Sequence, residues 1–322
     1  MLLDIEDLNL SLADRAARPL LSDVSLRVAA GEVVGLVGES GSGKSTTARA
    51  VLRMLPTGAD VTGSVRMAGE DVLTMDAARL RAHRARSVSM IYQDPRASLN
   101  PVRRIGDFLT ERLVRVLGQS RRQAVDNAVR LLGDVGLGEP DRRLRQYPHE
   151  LSGGMLQRVV IAAALATNPA LLLADEATSA LDVTTQAEVL ALLKRLQAER
   201  DLGLLFITHD LNLAAAYCDR VYVMYAGHVV EHQPARELFV HPRHPYTRGL
   251  LDCSPALGER RELRPIAGRP PSLSDVRPGC PFAPRCAFAE EACDNWRPEL
   301  SPAGDDVDVS CRRAAALEGS LT

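Results

Sequence analysis

Residues 3–12 and 20–28 alternate apolar with polar positions, the period of half-buried strands, with Leu21, Val24, Leu26 and Val28 as the inward set of the second. Val33-Val34-Gly35-Leu36-Val37 is a continuous apolar run that suits a buried strand, and Thr46 to Leu55 places Ala48, Val51, Leu52 and Leu55 at helical spacing. Val61 to Asp71 reads as strand–turn–strand around Ala68-Gly69, Ala77 to Arg86 as a polar arginine-rich helix, and Val88 to Tyr92 as a strand running into Gln93-Asp94-Pro95. From Ile105 to about Leu137 the period stays helical, which predicts a helical insertion outside the sheet. A buried helix is expected at Val159–Ala166, a buried strand at Leu171–Ala174 ending in Asp175-Glu176, and an amphipathic helix at Ala187–Glu199. A further buried strand, Leu204–Thr208, ends at His209, and Val221–Tyr225 with Val229–Glu231 makes a hairpin around Ala226-Gly227. Strands alternating with helices predict an α/β fold: a mostly parallel sheet with helices on both faces, preceded by a small antiparallel sheet.

After about residue 235 the composition shifts to proline and arginine, five of the six cysteines appear, and the periodicity weakens. This predicts a C-terminal extension, residues 236–322, with little core of its own, appended to a unit of residues 1–235. A helical subdomain is expected at about 95–168. The 322 residues carry a formal charge of −2, so no global field calls for nucleic acid or anionic lipid. The acidic N-terminus has no basic n-region, and the longest apolar run, Val159 to Ala166, falls far below the roughly 20 residues needed to span a bilayer. The expectation is a soluble cytoplasmic protein that meets a membrane only through partners.

Gly38-Glu39-Ser40-Gly41-Ser42-Gly43-Lys44-Ser45 fits G-x-x-x-x-G-K-[ST] and sits between the predicted strand and helix. Glycines let backbone N–H groups curl around phosphate oxygens, and the helix N-terminus adds partial positive charge. Lys44, one of only two lysines, would reach the β- and γ-phosphates, and the Ser45 hydroxyl would ligate Mg²⁺. Leu151-Ser152-Gly153-Gly154-Met155-Leu156-Gln157-Arg158 follows, then Asp175-Glu176 at a strand end.

Over residues 1 to about 235 this ordered set closely resembles the ATP-binding-cassette (ABC) ATPases, which are P-loop NTPases. The resemblance implies that Gly38, Ser40, Gly41, Ser42, Gly43, Lys44, Ser45 and Thr46 cradle the phosphates of ATP. It makes Ser152, Gly153 and Gly154 the signature loop, aimed at ATP held by the opposite subunit, so that two cassettes sandwich two nucleotides. It places Gln93 at Mg²⁺ and the membrane partner, and Asp175 at Mg²⁺ through water. Glu176 would orient or deprotonate the attacking water, Asp182 belongs to the loop Ser179-Ala180-Leu181-Asp182 that crosses the dimer interface, and His209 would contact the γ-phosphate. The family usually has proline at the position of Ala177. It also has an aromatic residue stacking on adenine, where this chain has Leu12. Leucine lacks that stacking geometry, which predicts weakened discrimination between ATP and GTP.

Two stretches point to one branch. Tyr92-Gln93-Asp94-Pro95-Arg96-Ala97-Ser98-Leu99-Asn100-Pro101 resembles the extended glutamine loop of the dipeptide, oligopeptide and nickel importers. His244-Pro245-Tyr246-Thr247 and Gly279-Cys280-Pro281-Phe282-Ala283-Pro284-Arg285-Cys286 are similar to the C-terminal extension of peptide-importer ATPases. Met155 resembles the D-type subunit, which pairs with a second, F-type cassette. The implied partners are that cassette, two integral membrane permeases and, indirectly, an extracytoplasmic peptide-binding protein, with the chain peripheral on the cytoplasmic face of the inner membrane.

The tail cysteines Cys280, Cys286, Cys293 and Cys311 are spaced C-x5-C-x6-C-x17-C, neither a zinc-finger nor a standard ferredoxin pattern. In a core-poor cytoplasmic segment they suggest a metal in place of apolar burial. The resemblance favours a [4Fe–4S] cluster, with structural zinc and free thiols as alternatives. Cys218 and Cys253 read as incidental thiols. Rival functions are a soluble cassette acting on ribosomes or DNA, a nickel importer ATPase and a non-hydrolysing regulatory cassette. The first would ordinarily carry two cassettes or a long coiled-coil insertion, and neither is visible.

Overall fold

The computed structural model describes residues 1–12, 18–253, 264–272 and 278–321. Strands β1 (Leu3–Leu12) and β2 (Arg18–Val28) pair antiparallel, and β1 also pairs with β4 (Ala59–Met67), which turns through Ala68-Gly69 into the two-residue β5 (Glu70–Asp71). This makes the N-terminal sheet, in the order β2-β1-β4-β5. Leu21, Val24, Leu26 and Val28 are all buried in it, against Leu3, Ile5, Leu8 and Leu10 of β1.

Between β2 and β4 lie β3 (Val33–Val37) and α1 (Lys44–Val51). The helix starts two residues before the predicted Thr46 and stops four before Leu55. Arg53 leaves it in the left-handed region, φ +47°, where its guanidinium donates to the carbonyls of Val72, Leu73 and Met75. Next come α2 (Ala77–Ala82), a wider helical turn at His83–Ser87, and β6 (Val88–Ile91). The expected helical insertion is α3 (Ile105–Leu117), α4 (Arg121–Asp134) and α5 (Pro140–Arg145). Gly118 ends α3 in the left-handed conformation, and a Ser120–Gln123 capping box starts α4.

Helix α6 (Gly153–Leu165) begins six residues before the predicted Val159, because Ser152 caps it by accepting from the Met155 N–H. Then follow β7 (Leu171–Asp175), α7 (Val183–Arg200), β8 (Gly203–Thr208), α8 (Leu211–Tyr217), β9 (Arg220–Tyr225) and β10 (His228–Pro234).

The principal sheet is mixed rather than simply parallel. Its order is β11-β12-β10-β9-β3-β8-β7-β6, with β6, β7, β8, β3 and β9 parallel and β10, β12 and β11 antiparallel at one edge. The last two strands come from the C-terminal region, which contributes α9 (Ala235–Val240), α10 (Pro245–Cys253), β11 (Ser301–Gly304) and β12 (Val307–Val309). This region borrows the main core: Phe282 and Tyr246 are buried beside Tyr225 of β9, with ring centroids 4.6–5.3 Å apart. Among the described residues no helix is long and apolar enough to cross a membrane.

Candidate ATP site

Strands β6, β7, β8 and β3 run parallel, so their C-terminal ends open along one edge of the sheet, where ligands of open α/β sheets bind. Each end delivers one part of the predicted site. β3 leads through Gly38 to Gly43 into α1. A Cβ on Gly38, at φ +147°, would collide with the Met224 carbonyl oxygen, so only glycine lets the loop pass so close to β9. Gly43, at φ +105°, occupies the N-cap position of α1 with no side-chain cap, which leaves the first-turn N–H groups free for an anion.

Lys44 is buried. Its ammonium donates to the carbonyl oxygens of Gly38 at 2.7 Å and Glu39 at 2.8 Å. Burial pulls its pKa down, opposed by the charges of Glu176, Asp175 and Glu39. The Ser45 hydroxyl donates to Asp175 Oδ1 at 2.9 Å, which joins the start of α1 to the end of β7. Burial raises the Asp175 carboxyl, partly offset by that hydrogen bond.

Glu176 follows at φ +48°, a left-handed conformation uncommon for a residue of its size and of a kind concentrated at functional sites. Its N–H is tied to the Ile207 carbonyl of β8 at 3.0 Å. One carboxylate oxygen accepts from Gln93 Nε2 at 2.8 Å, beyond the end of β6, and the other lies 3.3 Å from His209 Nδ1, beyond the end of β8. Lys44, Ser45, Asp175, Glu176, Gln93 and His209, predicted from four separate stretches, thus form one neighbourhood.

Ser152, Gly153, Gly154 and Asp182 belong instead to the starts of α6 and α7. Ser152 caps α6, Gly153 stands 3.7 Å from Leu181 (measured from a Cβ built on it), and Gly154 lies under the Thr185 side chain. Asp182 caps α7, accepting from the Thr185 N–H at 3.0 Å and its hydroxyl at 2.8 Å.

Cys280, Cys286, Cys293 and Cys311 line one small, partly open cavity, with His244, Phe282 and Trp296 among its other walls. Among the described residues, no group of three or more His, Cys, Asp or Glu converges as the ligands of a single ion would. Burial raises the thiols of Cys280, Cys286 and Cys311, the last to about 11, and each is raised further by other cysteines of the set. Cys218 is separate, packed over Gly35 and pushed up to about 12 by burial.

The sequence reading missed Glu39 and the residues that hold it. Its N–H donates to Tyr246 Oη at 2.9 Å, and its carboxylate receives both terminal nitrogens of Arg285, at 2.7 and 3.1 Å. Tyr246 and Arg285 lie within the two tail motifs already singled out, but nothing in the sequence links those motifs to the loop.

Residues 21–179 match the ABC transporter family, and residues 230–293 match the oligopeptide/dipeptide transporter C-terminal region. The chain is 45% identical over 300 residues to the oligopeptide transport ATP-binding protein OppD of Salmonella typhimurium, covering 92% of this chain and 90% of that one. This chain is an ABC transporter ATPase of the oligopeptide/dipeptide importer family. Another relative is OppD of Escherichia coli, 43% identical over 305 residues, with 94% and 90% covered. Among solved structures, the ATP-binding cassette MJ0796, in a dimeric post-hydrolysis state bound to ADP and Pi, superposes with a TM-score of 0.64 at 28% identity, covering 73% of this chain and 99% of that one.

Proposed function

We propose that the chain is the ATP-hydrolysing subunit that powers peptide import across the cytoplasmic membrane. The observation that carries this is the linked set Lys44–Ser45–Asp175–Glu176–Gln93–His209, in a chain whose C-terminal region is of the importer type. Residues 38–46 bind the phosphates through backbone N–H groups and the α1 N-terminus. Lys44 turns from its two carbonyls to the β- and γ-phosphates. Ser45 and Asp175, with Gln93, would hold Mg²⁺, which supplies neutralisation of phosphate charge.

Glu176 positions a water in line with the γ-phosphorus. The water oxygen bonds to phosphorus as the bond to the β,γ-bridging oxygen breaks, and the water proton passes to the Glu176 carboxylate. His209 contacts the transferred group, and ADP and phosphate leave. Gln93 and His209 both meet the Glu176 carboxylate, which keeps the three side chains together where the water is held.

Ser152, Gly153 and Gly154 serve the site of a second cassette, with the Asp182 loop at the interface. The partners are an F-type cassette and two permeases, with a peptide-binding protein outside, and the chain is peripheral on the cytoplasmic face. Residues 1–235 form the nucleotide-binding unit and 236–322 the extension, with a helical subdomain at about 95–168.

Cys280, Cys286, Cys293 and Cys311 line one cavity of an importer-type C-terminal region, and we assign them to a [4Fe–4S] cluster, with structural zinc and free thiols as the alternatives. The cluster would staple a segment that borrows its core from β9. Near-equal iron and acid-labile sulfide, about four each per chain purified without oxygen, is the expected content. Stoichiometric zinc or no metal would refute the cluster. The function itself is tested by what the native chain carries with it. Two integral membrane proteins and a second cassette are expected, whereas ribosomes or DNA would favour the soluble-cassette reading.

A further inference from the structure

Among the described residues, the C-terminal region hydrogen-bonds to the phosphate loop at Glu39. Glu39 is held at three points: its carbonyl by Lys44, its N–H by Tyr246 and its carboxylate by Arg285. Tyr246 is fully buried and locked among Tyr225 and Phe282. The Arg285 side chain is 5% exposed, donates from Nε to the Ala267 carbonyl at 2.9 Å and lies over the Tyr225 ring at 5.7 Å. A guanidinium so enclosed, gripping both carboxylate oxygens, is a fixed part rather than a surface ion pair. On the far side, Gly227 donates its N–H to the Ser42 carbonyl at 3.0 Å. The loop is therefore pinned at Glu39 and at Ser42, and the N–H groups of the first turn of α1 remain uncapped.

The charge matters as much as the grip. Glu39 follows the first glycine of the loop and lies within electrostatic reach of the Lys44 ammonium. A bare carboxylate there repels a polyphosphate, and Arg285 cancels it.

We propose that Arg285 and Tyr246 are positioning residues for ATP: they fix the loop through Glu39, and Arg285 neutralises the one acidic side chain within it. The inference rests on residues 38–46 being the phosphate cradle. It makes MgATP affinity depend on a residue of the C-terminal extension that is adjacent in sequence to Cys286.

The test is equilibrium binding of MgATP, by displacement of a fluorescent ATP analogue, to the full chain purified without oxygen. Arg285→Ala is expected to weaken binding about tenfold. The double variant Arg285→Ala with Glu39→Gln is expected to recover most of that loss, because the uncompensated charge is gone. In the assembled transporter the effect of Arg285→Ala falls on KM rather than kcat.

Native affinity in Arg285→Ala, or no recovery in the double variant, overturns the proposal. A native chain that binds no MgATP overturns the cradle and the clamp together. Should Arg285→Ala fail to fold, Tyr246→Phe keeps the ring packing and loses only the hydroxyl. It is expected to weaken MgATP about threefold, the value of one hydrogen bond, and unchanged affinity there overturns the proposal as well.

Discussion

Replacing Glu176 by glutamine separates chemistry from structure at this site. The side chain keeps its size, the backbone keeps its tie to the Ile207 carbonyl, and the left-handed conformation is unaffected. What changes is the acceptor. A carboxylate that takes a hydrogen bond from Gln93 and sits beside His209 becomes a neutral amide that cannot accept a proton from water. The stability lost is at most about one hydrogen bond, on the order of 1 kcal/mol. The loss of a general base is worth roughly 10²–10⁴ in rate, or about 3–5 kcal/mol of barrier. Glu176→Gln is therefore expected to retain MgATP binding while hydrolysis by the assembled transporter falls at least about 100-fold, with ATP trapped between the two cassettes. The assays are phosphate release and retention of labelled ATP on gel filtration. Hydrolysis within a few-fold of native would refute the role given to Glu176 and would move the base elsewhere in the Gln93–Glu176–His209 group.

Glu231, fully buried on β10, accepts from Gln233 and from the N–H groups of Arg243 and His244, and burial raises its carboxyl to about 7 from the ordinary 4.5. Between those values the folded chain holds a proton that the unfolded chain has released. Native stability should therefore fall, relative to Glu231→Gln, by about 3 kcal/mol as pH rises from 4.5 to 7; parallel denaturation curves across that range would contradict the burial argument. With Leu12 in place of an aromatic side chain, GTP turnover is expected within roughly tenfold of ATP turnover, since a stacking pair is worth about 0.5–1.5 kcal/mol. A preference for ATP well beyond that in equal-concentration assays would show that another residue reads the base.

The sequence exposed most of what chemistry needs in short, contiguous stretches. The phosphate loop, Asp175-Glu176 and His209 each terminate an apolar run, and runs such as Val33–Val37 and Leu204–Thr208 could only be buried strands once parallel pairing was assumed. Helix ends were less legible, because they depend on particular contacts. Arg53 stops α1 by reaching three carbonyls, and Ser152 starts α6 earlier than its apolar residues suggest.

The hairpin β11–β12 was invisible for a different reason. Ser301-Pro302-Ala303-Gly304 carries no apolar alternation, and its place in the sheet is set by the pairing of Glu231 with Val309 and His232 with Asp308, more than 70 residues apart in the chain. The Arg285–Glu39 pair is the same problem at the site. Both motifs could be read, but their contact spans most of the chain and exists only in the fold.

The account stands most directly on coupling. The native chain, assembled with its second cassette and two permeases in proteoliposomes and given the peptide-binding protein, should take up labelled peptide only when MgATP is supplied on its own side. Lys44→Ala in this chain should abolish that uptake while leaving the complex assembled. Uptake that persists in the Lys44→Ala assembly, or native ATP hydrolysis with no peptide movement for any peptide offered, would contradict the claim that this site drives import.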